Sequence, residues 1–289
     1  MSLVCDRPRR SILCVPAGDD HKLRKALHAG ADEVVVDLED AVALGDKDRA
    51  REQLTAFDWP DHGPAVAIRV NAARTPWCHR DLEMAVSLGQ VSSIVLPKVE
   101  SGTDVGFAER LLDGLESAAG RPAPLAIEAL VETPSGVLCL SDVVARNKRL
   151  RGVIIGYADL AASLGRNQTT DPAAWRGVQD TVLLHTAAAG IAAVDGPYLG
   201  VADDRAFRTA VDTAAAAGFQ AKWVIHPRQV AHVTEAFTPS ATDVDHARRV
   251  LTALEEAAGS GQGAAVVDGA LVDEAMAVAA RRVLGRISE

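Results

Sequence analysis

The sequence predicts an α/β fold, a (β/α)8 TIM barrel followed by a C-terminal helical extension. Eight short apolar, β-branched runs recur along the chain, and they are continuous rather than alternating, as in strands buried on both faces. Amphipathic segments separate these runs. The eight units span about 220 residues, the size of a barrel domain. The turn at residues 16–20 lacks the Gly-x-Gly-x-x-Gly pattern of an open dinucleotide-binding sheet, and no Walker loop occurs.

Each strand and helix of the barrel has its own signal. The predicted strands occupy residues 11–16, 33–38, 65–70, 93–97, 125–131, 152–157, 191–195 and 221–226. The predicted helices occupy residues 21–28, 47–57, 80–88, 104–119, 137–149, 173–189 and 203–217. Glycines that follow an apolar stripe are typical of helix C-termini, and they are Gly30, Gly89, Gly120, Gly190 and Gly218.

The chain continues beyond the eighth strand. Three helices are predicted there, over residues 229–237, 243–258 and 274–284. A glycine-rich loop at residues 259–263 and a short apolar segment at residues 265–268 separate the last two. We therefore expect two domains. The barrel would span residues 9–228, and the extension, residues 229–289, would pack on the barrel or on a neighbouring subunit.

Composition excludes several classes of protein. The 39 acidic and 30 basic residues give a net charge of −9, which disfavours general nucleic-acid binding. No apolar run approaches the roughly 20 residues that span a bilayer, and none of signal-peptide length follows the N-terminal basic residues. We expect a cytoplasmic protein without a membrane partner. Free thiols rather than a zinc site are expected for the four cysteines, Cys5, Cys14, Cys78 and Cys139.

Ionisable residues follow most of the predicted strands. Barrel active sites form where the carboxyl ends of the strands meet, so these side chains should share one mouth. Ionised carboxylates crowded into a small pocket raise each other's pKa unless a cation lies among them. The pattern therefore predicts a cation site. The side chains concerned are Asp37, Glu39, Asp40, Arg69, Lys98, Glu132, Asp159 and Asp195.

The residue types at the mouth favour a hard divalent cation. Magnesium takes one or two carboxylates together with waters and substrate oxygens, whereas zinc and copper favour His and Cys. His226 is the one histidine at a predicted strand end. We expect Mg²⁺, with Mn²⁺ as the alternative. A metal beside Arg69 would polarise a carbonyl and steady an oxyanion, which suits chemistry through an enolate. The residues alone leave proton abstraction and carbon–carbon cleavage open.

Structural roles are the alternatives to these functional ones. Glu132 and Asp159 could each only cap a helix. Arg69 could form a buried salt bridge with Asp37 or Glu39. Structural roles are favoured for two further residues, Lys98 in an ion pair and His226 as a hydrogen-bonding group.

Ten short motifs follow one another in the order known from one family. The chain resembles the citrate lyase β-subunit-like branch of the HpcH/HpaI aldolase family. The motifs are residues 10–16 (RSILCVP), 37–42 (DLEDAV), 68–71 (IRVN), 96–101 (LPKVES), 131–136 (VETPSG), 156–160 (GYADL), 195–196 (DG), 225–229 (IHPRQ), 237–240 (FTPS) and 269–273 (GALVD).

The resemblance implies an activity and a set of site residues. It implies a Mg²⁺-dependent carbon–carbon lyase that acts through an enolate on a citryl-, malyl- or citramalyl-CoA-like thioester, releasing a 2-oxoacid and an acyl-CoA. The metal carboxylates fall on Glu132, which would also contact substrate, and on Asp159. Arg69 would hold the substrate carboxylate or the oxyanion. Asp37 and Glu39 would organise metal-bound waters.

The tail and two departures from the family pattern refine this picture. Asp273 falls on a candidate acid/base that reaches the neighbouring subunit's site, which implies a homo-oligomer, a trimer or a hexamer. Asp40 stands where pyruvate-type aldolases of the superfamily carry His, which favours the CoA-lyase branch. Tyr157 occupies a position that is commonly small and is expected to reshape the pocket.

Three other functions stay open on the sequence. The same site could deliver water, as in a malyl-CoA-type thioesterase or a malate-synthase-like enzyme. It could also serve as a metal-dependent 2-oxoacid aldolase. A third alternative is a non-catalytic subunit of a citrate lyase complex, which the retention of Arg69, Glu132 and Asp159 argues against.

Overall fold

The computed structural model describes residues 8–145, 148–167 and 172–287. Eight parallel strands close into a barrel in sequence order, and the last pairs with the first, so the predicted TIM barrel is confirmed. Within the described ranges, no helix is long and apolar enough to cross a membrane. The strands are β1 Ser11–Pro16, β2 Glu33–Asp37, β3 Ala65–Arg69, β4 Val91–Leu96, β5 Ala126–Val131, β6 Leu150–Ile155, β7 Ala192–Asp195 and β8 Ala221–Val224.

Helices connect the strands in the alternating order that the sequence predicts. Gly120, Gly190 and Gly218 adopt left-handed conformations at helix C-termini, as predicted. Gly89 does not, because the chain is already extended at the preceding residue, Leu88. The helices are α1 Asp20–Leu27, α2 Lys47–Ala56, α3 Cys78–Ser87, α4 Gly102–Ala119, α5 Pro134–Leu138, α6 Leu140–Val144, α7 Tyr157–Ser163, α8 Arg176–Ala189, α9 Arg205–Ala217 and α10 Val230–Ala236.

Two predicted boundaries around β6 are wrong. The helix predicted over residues 137–149 is instead the two short helices α5 and α6, separated at Cys139, whose backbone is not helical. Residue 149 already pairs with the neighbouring strand, since the Arg149 carbonyl accepts a hydrogen bond from the Ile127 N–H at 2.8 Å. At the other end, residue 157 begins α7 rather than closing β6, and this helix was not predicted.

An apolar layer fills the middle of the barrel, with at least one side chain from every strand. Side chains alternate along a strand, so residues two positions further on return to the same face. Two positions beyond the apolar layer, the same face carries Asp37 at the end of β2, Arg69 at the end of β3 and Glu132 immediately after β5. The apolar layer therefore forms the floor of a polar mouth. The layer consists of Ile12, Val35, Ala67, Val95, Leu130, Ile154, Val194, Ala221 and Trp223.

Buried ion pairs close the opposite end of the barrel. Glu33 and Glu128 are both fully buried, and each pairs with Arg9 and with Arg151. The Arg151 Nη2 lies 2.6 Å from Glu33 Oε1 and 2.5 Å from Glu128 Oε1. This cluster was not predicted, although a charged residue inside an otherwise apolar strand is its signal in the sequence.

The described residues divide into two compact units, residues 9–234 and residues 235–287. The second contains α11 Ala241–Gly259, an antiparallel hairpin of β9 Ala265–Val267 and β10 Ala270–Val272, and α12 Glu274–Leu284. Positive φ angles at Asp268 and Gly269 form the two-residue turn, which makes β10 a strand that the sequence had not predicted. The domain boundary expected at residue 228 stays a prediction.

Candidate functional site

One ammonium group joins three of the predicted carboxylates at the barrel mouth. The Lys98 Nζ lies 2.5 Å from Glu39 Oε1, 3.2 Å from Asp159 Oδ2 and 3.9 Å from Glu132 Oε1. These acids come from the loop after β2, the first turn of α7 and the end of β5, so the fold brings together residues far apart in sequence. Lys98 therefore lies in an ion pair, the structural role favoured for it.

The backbone of Lys98 is also part of the site. Its φ of 53° is in the left-handed region, which costs an ordinary residue about 1–2 kcal/mol. In this conformation the Lys98 N–H donates to Glu132 Oε1 at 2.9 Å while the side chain reaches Glu39 and Asp159. Non-glycine residues keep such conformations where the surroundings over-determine them, and this happens most often at functional sites.

Glu132 is a buried carboxyl group with too little compensation for its charge. It is 3% exposed. Burial, together with the nearby carboxylates of Glu39 and Asp159, raises the pKa of Glu132 to about 8, although Lys98 works in the opposite direction. A group in this setting favours either a proton or an additional cation.

Arg69 is held by a bidentate pair at the ends of neighbouring strands. Its Nε and Nη2 donate to the two oxygens of Asp37 at 2.7 and 2.5 Å, and its Nη1 lies 3.2 Å from Glu39 Oε2. Burial opposes the charge on Arg69, but the hydrogen bonds and charge of Asp37 outweigh it and raise the pKa of Arg69. The salt-bridge role considered for Arg69 is therefore real, and it leaves three of the five N–H donors without a hydrogen bond among the described residues.

Glu39 connects the arginine to the lysine. It is buried, and burial raises the pKa of Glu39 despite the opposing charges of Arg69 and Lys98. Its Oε1 accepts a hydrogen bond from the Lys98 ammonium, whereas its buried Oε2 accepts no hydrogen bond from the described residues. Asp40, next in sequence, is largely exposed, 3.7 Å from Arg69 Nη1.

The helix-terminal alternatives have different outcomes for the two acids. Thr133, not Glu132, caps α5 by accepting from the Gly136 N–H at 3.1 Å. Asp159 lies in the first turn of α7, where its carboxylate faces Lys98. Asp159 is thus favourably placed for the helix dipole, and both acids also lie near the Lys98 ammonium.

Asp195 does not join this cluster. Val194 takes the interior position on β7, so the next side chain lies on the other face of the strand. There the carboxylate pairs with the buried Lys222 and accepts from the Tyr157 hydroxyl at 2.6 Å. Burial and the charge of Asp195 raise the pKa of Tyr157 well above its usual value. Lys222 was missed by sequence analysis, although it interrupts an apolar strand.

Two further predicted residues have local structural contacts. His226 accepts the Arg228 N–H on its Nδ1 at 3.2 Å, the structural role favoured for it. Asp273 belongs to the second compact unit, where its Oδ1 caps α12 by accepting from the N–H groups of Ala275 and Met276 at 3.0 and 3.4 Å.

The donor set at the mouth is suited to a hard cation. Among the described residues, no group of three or more His, Cys, Asp or Glu side chains is placed to hold a metal ion by itself. Magnesium does not need such a group, because waters and substrate oxygens usually supply most of its ligands. Glu132 and Asp159, which both face the Lys98 ammonium, are the pair of carboxylates that can supply the protein ligands.

Comparison with known proteins assigns the chain to a family. The family model for HpcH/HpaI aldolase/citrate lyase matches residues 10–227, which covers the whole barrel. The chain belongs to this family. The resemblance found in the sequence is thereby confirmed, and so is the prediction of a lyase-family enzyme. The relatives that match belong to the CitE and malyl-CoA lyase branch.

Curated relatives of this HpcH/HpaI family member carry two different activities. An L-malyl-CoA/β-methylmalyl-CoA lyase of Cereibacter sphaeroides is 34% identical, with 92% of this chain and 91% of that protein aligned. A (3S)-malyl-CoA thioesterase of the same species is 35% identical, with 96% of this chain and 94% of that protein aligned.

Solved structures of the family resemble most of the chain. Mycobacterium tuberculosis CitE in complex with magnesium, acetoacetate and coenzyme A is 31% identical, with a TM-score of 0.76 over 98% of this chain and 99% of that one. The citrate lyase β subunit of M. tuberculosis complexed with oxaloacetate and magnesium is 30% identical, with a TM-score of 0.68 over 83% and 100%. Homologues of this chain thus bind magnesium.

Proposed function

We propose that this family member is a Mg²⁺-dependent lyase that cleaves a carbon–carbon bond of a 3-hydroxyacyl-CoA bearing a further carboxylate, such as malyl-, citramalyl- or citryl-CoA. The observation that carries the proposal is the cluster at the barrel mouth, where Glu39, Glu132 and Asp159 surround one cationic position beside Arg69. The products would be a 2-oxoacid and an acyl-CoA.

Glu132 and Asp159 would hold the metal. Bound Mg²⁺, or Mn²⁺ in its place, would supply a Lewis acid for the oxygens of the 2-oxoacid part of the substrate. The raised pKa of Glu132 and its neighbouring carboxylates support this assignment, because added positive charge would keep all of them ionised. The buried Glu39 Oε2 would orient waters around the ion, whereas Asp37, whose two oxygens already accept four hydrogen bonds, would act by holding Arg69.

Arg69 would stabilise the charge that develops during cleavage. A base removes the hydroxyl proton of the substrate, the adjacent carbon–carbon bond breaks, and its electron pair becomes the enolate of the departing acyl-CoA. The N–H groups of Arg69 that do not bind Asp37 leave a donor for that enolate oxygen, while Asp37 fixes the plane of the guanidinium. Protonation of the enolate carbon then gives the acyl-CoA.

Asp273 of a neighbouring subunit would be the acid/base. Its carboxylate is exposed, and among the described residues its hydrogen bonds are the two that Oδ1 accepts at the start of α12, which leaves Oδ2 for a substrate proton. This role requires a homo-oligomer, a trimer or a hexamer, and we propose that such an assembly works in the cytoplasm.

Subunit mixing tests the roles together with the activity. Glu132→Gln and Asp273→Asn are each expected to lose malyl-CoA cleavage in Mg²⁺ buffer. Mixed oligomers of the two inactive variants should regain part of the activity, because some sites then combine an intact metal site with an intact Asp273. Wild-type protein that cleaves no dicarboxylyl- or tricarboxylyl-CoA would refute the lyase. Mixtures that stay inactive, although both variants assemble, would refute the shared site.

A thioesterase is the second candidate, because the relative at 35% identity carries that activity. The same site would then deliver water to the acyl-CoA, as it would after a malate-synthase-like condensation. Product analysis separates the possibilities: a lyase releases a 2-oxoacid and an acyl-CoA, whereas a thioesterase releases free CoA. Turnover of pyruvate with an aldehyde in the absence of CoA would instead indicate a 2-oxoacid aldolase.

A further inference from the structure

A buried lysine lies behind the loop that carries Glu39. Lys47 is the first residue of α2, and its side chain is almost fully buried. Its Nζ donates to the carbonyl oxygens of Leu38 at 2.7 Å and of Glu39 at 2.6 Å. Within the described part of the chain, no carboxylate lies within ion-pair distance of this ammonium. Its hydrogen bonds therefore go to two consecutive carbonyls of one loop.

Packing alone does not account for a lysine here. An ammonium taken out of water costs several kcal/mol, whereas a methionine would fill similar space without that cost. Burial lowers the pKa of Lys47, and the charges of Asp37, Asp81, Glu39 and Asp40 oppose that change. The acidic surroundings thus favour the charged form against burial, and a charged donor binds carbonyl groups strongly.

The loop is held from both sides. The carboxylate of Asp37 accepts the N–H of Glu39 at 2.8 Å and the N–H of Ala41 at 3.1 Å. Lys47 binds the carbonyls of the same loop, and Asn71 donates a further bond to the Leu38 carbonyl at 3.1 Å. These contacts hold the backbone from which the Glu39 side chain reaches Lys98 and Arg69.

We propose that Lys47 is a positioning residue for the lyase reaction, which fixes the loop at residues 38–41 so that Asp37 and Glu39 hold Arg69 and Lys98 in place. It contacts neither substrate nor metal. The inference rests on the proposed function for its effect on turnover, but the contact itself can be tested without any substrate.

Lys47→Met tests the inference against a matched control. Arg121 is a second partly buried cation, which donates to the carbonyls of Val86, Leu88 and Val91 near the start of β4, away from the mouth. Lys47→Met should lower kcat by about 10- to 100-fold, because small displacements of catalytic groups have effects of that size. The KM for the acyl-CoA should change less than about threefold, because Lys47 supports Arg69, and Arg69 stabilises the enolate charge that develops only during the reaction. Arg121→Met should keep its kcat within about twofold.

Hydrogen exchange separates positioning from general destabilisation. The Glu39 and Ala41 amides should exchange faster in Lys47→Met than in wild type, whereas Arg121→Met should leave them unchanged. Lys47→Gln keeps an N–H donor group without the charge and should give intermediate exchange and intermediate kcat. This variant carries the test if Lys47→Met does not fold. Unchanged exchange, unchanged kcat, or an equal kcat loss in Arg121→Met would each overturn the inference. A wild type without lyase activity would refute the proposed function instead, while the exchange comparison would still decide the contact.

Discussion

Gly156 lies directly against Glu132, and no larger residue fits there. A Cβ placed on Gly156 would be 2.5 Å from the Cβ of Glu132 and 2.6 Å from its Oε2. The glycine is the N-cap of α7, the helix that carries Asp159 in its first turn. This close approach places the start of α7 against Glu132, and α7 carries the second acid proposed to hold the metal.

Gly156→Ala is expected to damage the site more than the fold. The added methyl group must displace Glu132, which should cost about 1–3 kcal/mol in free energy of unfolding and weaken Mg²⁺ binding. Urea unfolding and calorimetric titration with Mg²⁺ measure the two effects. Gly114→Ala in α4 is the control, because nothing lies within 4 Å of its new methyl group, and it should stabilise the helix by up to about 1 kcal/mol. Mg²⁺ affinity equal to wild type in Gly156→Ala would contradict the proposed geometry.

Arg69→Lys is expected to abolish most turnover although the charge is kept. A lysine cannot form two parallel bonds to Asp37 and still present further donors, so kcat/KM should fall by about 100- to 1,000-fold. Steady-state kinetics with malyl-CoA measure the loss. Arg10→Lys is the matched control, since Arg10 makes a bidentate pair with Asp32, with both distances 2.8 Å, at the other end of the barrel. Turnover lost equally in both variants would show that Arg69 acts only through stability.

The buried pair behind the mouth should matter for stability. Lys222→Met leaves the buried Asp195 carboxylate without its cation, which should cost about 3–5 kcal/mol. Tyr157→Phe removes one hydrogen bond to the same carboxylate and should cost about 1 kcal/mol. The double variant Lys222→Met/Asp195→Asn should recover part of the loss, and urea unfolding measures all three. A smaller loss in Lys222→Met than in Tyr157→Phe would contradict this description of the pair.

The thiols of Cys14, which is partly buried, and Cys78, which is buried, should resist modification and contribute most to stability at low pH. Burial raises the pKa of both Cys14 and Cys78 to about 12, with Asp37 and Asp81 respectively adding to the effect. Unfolded thiols ionise at about pH 8.5. The folded protein therefore holds these protons more tightly, so their contribution to stability is complete below pH 8.5 and is lost as the pH rises toward 12.

Thiol labelling at pH 8 checks this directly. In a Cys5→Ser background, folded protein should react at the exposed Cys139, whereas Cys14 and Cys78 should react only in urea. The unfolding midpoint in urea should also fall between pH 8 and pH 11, and less so in a Cys14→Ala variant. Rapid labelling of Cys14 in folded protein would show that the floor of the mouth is open to solvent.

Much of the barrel is predictable from sequence because its signals are local. Continuous apolar runs identify the strands, and alternation on β2 places Asp37 on the same face as Val35. The break at Cys139 and the start of β6 were not predictable, because strand pairing across the sheet decides them. The short helix α7 was missed for the same reason, since its first residues read as the end of a strand.

The candidate site was predictable in its members but not in its connections. Strand-end charges identified Glu39, Arg69, Glu132 and Asp159 without any coordinates. Which face Asp195 occupies depends on where β7 begins, and its pairing with Lys222 depends on a neighbouring strand. The left-handed backbone of Lys98 had no signal, because sequence rarely marks such conformations in residues other than glycine and asparagine.

The central claim is that Glu132 and Asp159 bind one divalent cation together, and a Mn²⁺ titration followed by electron paramagnetic resonance tests it most directly. Wild-type protein should bind one Mn²⁺ per chain, and Mg²⁺ should displace it. Glu132→Gln and Asp159→Asn should each weaken binding by at least about 100-fold while circular dichroism shows the barrel intact. Wild-type affinity in either folded variant would contradict the account.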